Sequence, residues 1–270
     1  MDILLVLPNQ LVKNFPSIDI PLGILSIAAY LCSSEYSGSV NIYDATVSGN
    51  IWKDEQGRTF LGDTPDEIAN RIRDSDADLI GISNMFTWQY QQALLVASIC
   101  KAINPKLITV IGGPHASAFP KETIEEPDID FVVMGEGEHR LLELAQALDV
   151  GANPRIQGVL QSVEDMDLLK PSRRSRISFL PELDDLPIPA YDMVDMERYF
   201  HLQRKGFSSR PRSKGKRSVS MLTSRGCPHQ CVFCSIQATM GYKWRHNSAD
   251  YVKRHLVHLI DHYQIDYVHF

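Results

Sequence analysis

Ser224-Arg225-Gly226-Cys227-Pro228-His229-Gln230-Cys231-Val232-Phe233-Cys234 sets three cysteines on one short loop, separated by three and then two residues. Three thiolates are one ligand short of an iron–sulfur cube or a tetrahedral zinc site. On iron, the missing ligand leaves one coordination position open to a substrate or cofactor. On zinc, His229 or His246 would complete the set, although zinc sites more often pair two short knuckles than cluster three cysteines. Five cysteines, in a chain that opens with neither a basic start nor a small-residue cleavage site, do not read as a disulfide framework. The spacing favours iron.

Just upstream, residues 218–223 form a compact β-rich run. It is expected to be the strand that delivers the loop at its C-terminal end, the rim where β/α barrels carry their active sites. Downstream, 36 residues remain (235 to 270). They read as a loop, an amphipathic helix over 249–263 and a strand over 265–270. Val252, Leu256, Leu259 and Ile260 form the helix's core stripe, Asn247 or Ser248 its N-cap, and His255, His258 and His262 fall on its solvent side. Arg245 is expected either to close over the cysteine loop or to pair with a carboxylate. A complete β/α barrel takes about 250 residues. The chain therefore reads as a fragment cut inside its second domain and not catalytically competent alone.

Residues 1–150 alternate short apolar runs with helical patterns, which predicts a parallel sheet flanked by helices. Strands are expected over 3–7, 40–43, 79–83, 107–111 and 131–134, with helices near 22–33, 65–74, 88–103 and 139–148. Ligands of such open sheets bind beyond the carboxyl ends of the strands, where the strand order reverses. Those ends carry Pro8-Asn9, Ser83-Asn84-Met85-Phe86, Gly112-Gly113-Pro114-His115 and Gly135-Glu136-Gly137-Glu138, with Pro21-Leu22-Gly23 opening the first helix. Glycine after a strand is commonly just a turn. Four such loops on one rim instead suggest close approach of a large ligand, with helix-start N–H groups ready for its phosphate.

The cysteine run resembles the signature of the radical S-adenosylmethionine (radical SAM) enzymes, including the aromatic Phe233 before the third cysteine. The rim loops together resemble the cobalamin-binding domain that precedes the barrel in one large branch of that family, and the likeness covers nearly the whole chain. The resemblance implies a Rossmann- or flavodoxin-like cobalamin-binding domain over 1–150, a connector over 151–217, and the beginning of a radical SAM (β/α) barrel over 218–270. It implies that Cys227, Cys231 and Cys234 hold three irons of a 4Fe–4S cluster, that S-adenosylmethionine chelates the fourth, and that Phe233 lies against its adenine. It further implies corrinoid contacts from Pro8, Asn9, Leu22, Gly23, Ser83, Met85, Phe86, Gly112, Gly113, His115, Gly135 and Gly137. The Asp-x-His-x-x-Gly motif that ligates cobalt from below in many cobalamin domains is absent from this sequence. If a corrinoid binds, its lower face is expected to lack a histidine, which favours four-coordinate cobalt(I), a strong methyl acceptor. The alternative for His115 is a loop histidine bonding backbone.

The implied activity is reductive cleavage of S-adenosylmethionine to a 5′-deoxyadenosyl radical, chemistry that cofactors carry and protein positions. Methyl transfer to an unactivated carbon is the leading outcome, and cyclisation or rearrangement the alternative within the branch. A small-molecule or peptide substrate and an external electron donor of flavodoxin or ferredoxin type complete the scheme. Methylthiolation would require three further cysteines in the first domain. Only Cys32 and Cys100 occur there, and both are expected as buried small apolar residues. Two readings from other classes are a zinc-binding module with a basic arm, and a sensor or electron carrier without turnover.

Between the domains, residues 151–217 lose periodicity and read as an extended connector around Pro181, Pro187 and Pro189. It ends in a basic stretch (Arg204, Lys205, Arg210, Arg212, Lys214, Lys216 and Arg217), expected as a solvated loop. A net charge of −6 gives no general attraction to nucleic acid or anionic membranes. The longest apolar candidate, Ile20 to Leu31, is short of the ~20 residues of a membrane span and is broken by Pro21 and Gly23. Free thiols and an oxygen-sensitive cluster fit a reducing cytoplasm.

Overall fold

Ile3-Leu4-Leu5-Val6 is buried at every position, the mark of a strand covered by helices on both faces. In the computed structural model, which describes residues 1–168, 179–208 and 216–270, this run is β1 (Ile3–Leu7). There follow β2 (Gln10–Leu11), α1 (Leu22–Ser33), β3 (Val40–Asp44), β4 (Ile51–Lys53), β5 (Thr59–Leu61) and α2 (Pro65–Arg73). Then come β6 (Leu79–Ser83), α3 (Tyr90–Ile103), β7 (Ile108–Gly112), α4 (Pro114–Ala118), α5 (Pro120–Ile124), β8 (Phe131–Val133), α6 (Glu138–Asp149) and β9 (Val159–Leu160).

Six of these strands form one sheet in the order β3-β1-β6-β7-β8-β9, parallel except for the antiparallel edge strand β9. The five expected strands are all present within a residue or two of their expected bounds. Alternate side chains feed two cores. Leu4, Val6, Ile80, Ile82 and Ile111 pack with α2 and α3. Ile3, Leu5, Leu79, Val110 and Phe131 pack with α1 and α6. Each such side chain contributes roughly 1.5–3 kcal/mol by leaving water. The capping box of Thr64 and Glu67 fixes the start of α2. From β1 the chain goes to β3 on one side and then to β6 on the other, so the switch point lies between the carboxyl ends of β1 and β6.

The expectation missed a small antiparallel sheet, β2-β5-β4, in which Trp52 stacks on Phe60. It also missed a helix in the connector, α7 (Met196–Arg204), capped by the Asp195 side chain. The connector is therefore not simply extended. Tyr199 on α7 donates to Asp44 Oδ2 at 2.6 Å, and Arg198 donates to the carbonyls of Val47 and Ser48. Of the basic stretch, Arg217 is paired with Glu197 and lies over the Phe200 ring, rather than solvated alone. Arg210, Arg212 and Lys214 lie outside the described residues.

The last segment holds β10 (Ser218–Ser220), β11 (Ser224–Arg225), α8 (Ile236–Met240), β12 (Arg245–His246), α9 (Ala249–Tyr263) and β13 (Tyr267–His269). The β10 and β13 strands pair in parallel around α9, one β/α/β unit. Ser248 caps α9, its hydroxyl accepting from Tyr251 N at 3.1 Å. A third core joins Leu25 of α1, Tyr191, Tyr199 and Phe200 of the connector, and Val219, Met221 and Leu259.

Three side-chain expectations are corrected. His255 is buried rather than solvent-facing, because α9 packs on the connector and Tyr191 OH meets its Nε2 at 3.0 Å. Ile260 is half exposed, so it is not part of the core stripe. Cys32 is exposed at the end of α1, whereas Cys100 is buried as expected, which pushes its thiol up to about 12.

Candidate functional site

Along the carboxyl rim, β1 ends in buried Pro8 and Asn9, and β6 in Ser83, buried Asn84 and the exposed pair Met85 and Phe86. The Asn9 amide donates to Asp63 O at 2.7 Å and the Asn84 amide to Phe86 O at 3.1 Å. Their amide oxygens have no partner among the described residues, although each residue is only 1% exposed. An orphaned buried acceptor costs about 1–3 kcal/mol unless a ligand donates to it. Gly113 takes φ +109, and a Cβ there would stand 2.6 Å from Asn84 O, so the turn between β7 and α4 admits only glycine. Gly112 beside it has ordinary clearance, and Gly135 turns the chain after β8 with φ +71.

The remaining expected rim residues have other surroundings. Leu22 and Gly23 line a cleft with Leu183, Leu186, Leu222, Arg225 and Tyr251, where first domain, connector and last segment meet. Gly137 serves helix packing, since a Cβ there would meet Ile27 Cδ1 at 2.8 Å. His115 is buried between Tyr90 and Phe119, with ring centroids at 4.2 and 5.2 Å. Its Nδ1 meets Thr87 Oγ1 at 3.1 Å, a hydroxyl rather than backbone. Burial lowers its pKa and favours the neutral ring.

The three cysteines follow β11 on one loop. Cys227 is half-buried, and Cys231 and Cys234 are exposed. Phe233 beside them is 89% exposed. Cys227 N donates to Gly241 O at 3.1 Å, and Cys234 N to Cys231 O at 3.0 Å. At Gly226, φ is +84 and a Cβ would lie 2.1 Å from Lys243 O, so the loop base is pressed against the strand leading to β12. Among the described residues no three His, Cys, Asp or Glu side chains are already gathered for a metal, these cysteines included. His246, a possible fourth ligand on zinc, lies tilted against Trp244 with ring centroids at 4.7 Å, and its Nδ1 meets Asn247 O at 3.0 Å.

Between rim and loop lies a buried charged cluster. Glu138 Oε1 accepts from Arg225 Nη2 at 2.7 Å and from Ser26 Oγ at 2.8 Å. Glu136 Oε2 accepts from Arg245 Nη1 and from Leu180 N, both at 2.9 Å. Glu136 Oε1 sits 3.3 Å from Arg225 Nη1 and 2.8 Å from Arg245 Nη2, held by charge without an aligned hydrogen bond. Burial disfavours the charge on Glu138, but Arg225 and Ser26 outweigh it, and its pKa falls below the ordinary glutamate value. Burial likewise opposes the charge on Arg225, and the two carboxylates override it. Arg245 thus takes the carboxylate partner expected as one of its two roles.

A model of the B12 binding domain matches residues 9–145. The chain belongs to the B12-binding domain family. Its relatives extend the likeness beyond that domain. Cytidylyl-2-hydroxyethylphosphonate methyltransferase of Streptomyces wedmorensis is 30% identical over 95% of this chain and 51% of its own length. An uncharacterized methyltransferase of Pyrococcus horikoshii is 34% identical over 76% and 41%. An anaerobic magnesium-protoporphyrin IX monomethyl ester cyclase of Rubrivivax gelatinosus is 27% identical over 63% and 29%. The chain spans about half or less of the length of these curated relatives. Among solved structures, that of the cobalamin-dependent S-adenosylmethionine radical enzyme OxsB with aqua-cobalamin bound superimposes with TM-score 0.71 at 19% identity. It covers 98% of this chain and 33% of that one. The expected Rossmann-like fold is the one observed. No helix among the described residues is long and apolar enough to cross a membrane.

The rim of this B12-binding domain fits a corrinoid. The ligand's peripheral amides can donate to the orphaned Asn9 and Asn84 oxygens, and its flat apolar face suits Met85 and Phe86. Asn84 was missed as a candidate because it sits inside Ser83-Asn84-Met85-Phe86 with no periodic signal of its own. The donor set of the cysteine loop, three soft thiols within the eight residues from Cys227 to Cys234, fits an iron–sulfur cluster.

Proposed function

We propose that the protein is a cobalamin-dependent radical SAM enzyme that transfers a methyl group to an unactivated carbon of a small-molecule or peptide substrate. The observation that carries this reading is the buried junction between a B12-binding rim and a three-thiol loop. When bound, the 4Fe–4S cluster supplies the electron that splits S-adenosylmethionine, and the corrinoid supplies the methyl group.

The chain's own residues bind and orient these groups. Cys227, Cys231 and Cys234 would ligate three irons and leave the fourth for the amino and carboxylate groups of S-adenosylmethionine. Phe233 would cover the adenine. The turns at Gly112, Gly113 and Gly135 would let backbone approach the corrinoid, while Asn9 and Asn84 would accept from its amides and Met85 and Phe86 would cover its face. The electron comes from an external donor of flavodoxin or ferredoxin type, in a reducing cytoplasm. Cyclisation or rearrangement is the second reading, favoured by the likeness to the Rubrivivax gelatinosus cyclase.

Elemental mass spectrometry tests the proposal, on protein purified without oxygen from its complete reading frame after growth with cobalamin. About four irons and about one cobalt per chain are expected. Zinc at about one, with neither iron nor cobalt, overturns it in favour of a zinc module. Iron without cobalt keeps the radical chemistry and removes the methyl-transfer role.

A further inference from the structure

The loop after β8 alternates glycine and glutamate, Gly135-Glu136-Gly137-Glu138, and the two residue types serve different neighbours. Gly135 turns the backbone at the B12 rim, and Gly137 lets α6 start against Ile27 of α1. Both glutamates face away into the last segment and are about as buried as core leucines, at 4% and 3% exposure. Their partners are the two arginines that bracket the base of the cysteine loop. Arg225 lies two residues before Cys227, and Arg245 is its antiparallel partner across the β11–β12 ribbon. Arg245 also donates to Leu180 O at 2.6 Å and Met240 O at 2.8 Å, tying in the connector and the end of α8. From below, Arg140 donates to Glu136 O at 2.7 Å and to Gln157 O at 2.9 Å, fixing the glutamate's own backbone.

A surface salt bridge would be worth little. This cluster is buried, carries two guanidinium forks against two carboxylates, and gives nearly every polar atom a partner. Removing one member leaves an uncompensated buried charge, which is strongly destabilising locally. Arginine's planar fork also fixes direction as well as distance, which lysine does not.

From this geometry we infer that Glu136 and Glu138 are positioning residues for the cysteine loop, acting through Arg225 and Arg245 to hold Cys227 in fixed register with the B12 rim. One loop thereby serves both cofactor regions, its glycines on one side and its carboxylates on the other. The inference rests on the proposed function in so far as the loop is read as a cluster site.

The test compares wild-type protein with Glu136→Gln, Glu138→Gln, Glu138→Asp and Arg225→Lys. In metal-free protein, amide hydrogen exchange is followed in peptides covering 222–229 and 241–247. In anaerobically reconstituted protein, the electron paramagnetic resonance spectrum of the reduced cluster is recorded, and cobalamin uptake is titrated by visible absorption. The glutamine variants should exchange about a hundredfold faster in those two peptides, with exchange in β1, β6 and β7 unchanged. Their cluster spectrum should shift while cobalamin uptake stays at the wild-type level, and Glu138→Asp should restore most of the wild-type spectrum. Arg225→Lys, which keeps the charge and loses the fork, should fall between and remains informative if a glutamine variant fails to fold. Wild-type exchange and an unshifted spectrum in both glutamine variants would overturn the inference. Wild-type protein that takes up no iron would instead sink the proposed function, and the exchange comparison on metal-free protein would still decide the role of the glutamates.

Discussion

The rim of the sheet and the cysteine loop are prepared for ligands in opposite ways. At the rim, the Asn84 backbone bonds both sides of the β7–α4 turn, Gly113 is wedged against it, and two buried amide oxygens await donors. The cost of organising that surface is met by the fold itself. On the cysteine loop the thiols are exposed or half-buried, and no three of them are gathered. Its base is fixed by Gly226 and by the arginines of the buried cluster. A rigid, broad ligand gains from a finished platform, whereas ligands to a metal are commonly drawn together by the metal itself. Preorganisation therefore sits in the first domain and adaptability in the loop.

The strongest way to break this contrast is to replace Cys227, Cys231 and Cys234 together by alanine. Iron should fall from about four per chain to background while cobalt stays near one, measured on anaerobically purified protein. Loss of both metals would mean that the two regions are not separable.

The converse substitution, Gly113→Val, attacks the platform. It forces a β-branched residue to positive φ with its Cβ against Asn84 O, and should cost about 3 kcal/mol in urea unfolding while abolishing cobalt uptake. Iron uptake should persist, and an unchanged urea midpoint would show that the turn is not rigid.

The seam between the regions carries a pH signature. Burial, helped by His258, lowers the pKa of His255 from its ordinary 6.5 to about 4, so the folded state holds the neutral ring. The unfolded chain takes up the proton first as pH falls. Stability is therefore full above about 6.5 and declines as pH drops towards 4, losing about 2 kcal/mol between pH 7 and 5. Denaturant titrations at the two pH values should show this, and His255→Gln should remove most of the slope.

The smallest expected effect sharpens the comparison most. Asn84→Ala removes one orphaned acceptor and a single bond to Phe86 O, so stability should barely move while corrinoid affinity falls about tenfold. Equal affinity for the two proteins would take Asn84 out of the binding surface.

The parallel sheet was legible because its strands are buried on both faces and appear as unbroken apolar runs such as Ile3-Leu4-Leu5-Val6. The β4 and β5 strands, by contrast, are three residues each, and β4 is largely exposed, so they lack the alternation that reveals a half-buried strand. The α7 helix was hidden by the proline-rich, acidic stretch before it, although Asp195 ahead of Met196 is a usable N-cap signal. The cysteine spacing is plain in the sequence. What holds the base of their loop is not, since Glu138 and Arg225 are 87 residues apart and nothing local pairs them. Gly135-Glu136-Gly137-Glu138 stands out in sequence for its glycines, while its carboxylates reach the arginines at the base of the loop. His255 departs from the single-stripe expectation because α9 is covered from two directions, by the last strands and by Tyr191, so its buried face is wider.

The third core has a consequence for motion. Segments of one chain swing against each other by default unless the surface between them is extensive and apolar. Here Leu25, Tyr191, Phe200, Met221 and Leu259 interlock across that surface, and Tyr199 is bolted to Asp44 behind them. Opening such a seam like a hinge would expose several large side chains to water at once. The sheet and the segment that carries the cysteine loop should instead melt as one cooperative body. Traffic between the rim and the base of the cysteine loop would then rest on local movement, not on the seam opening.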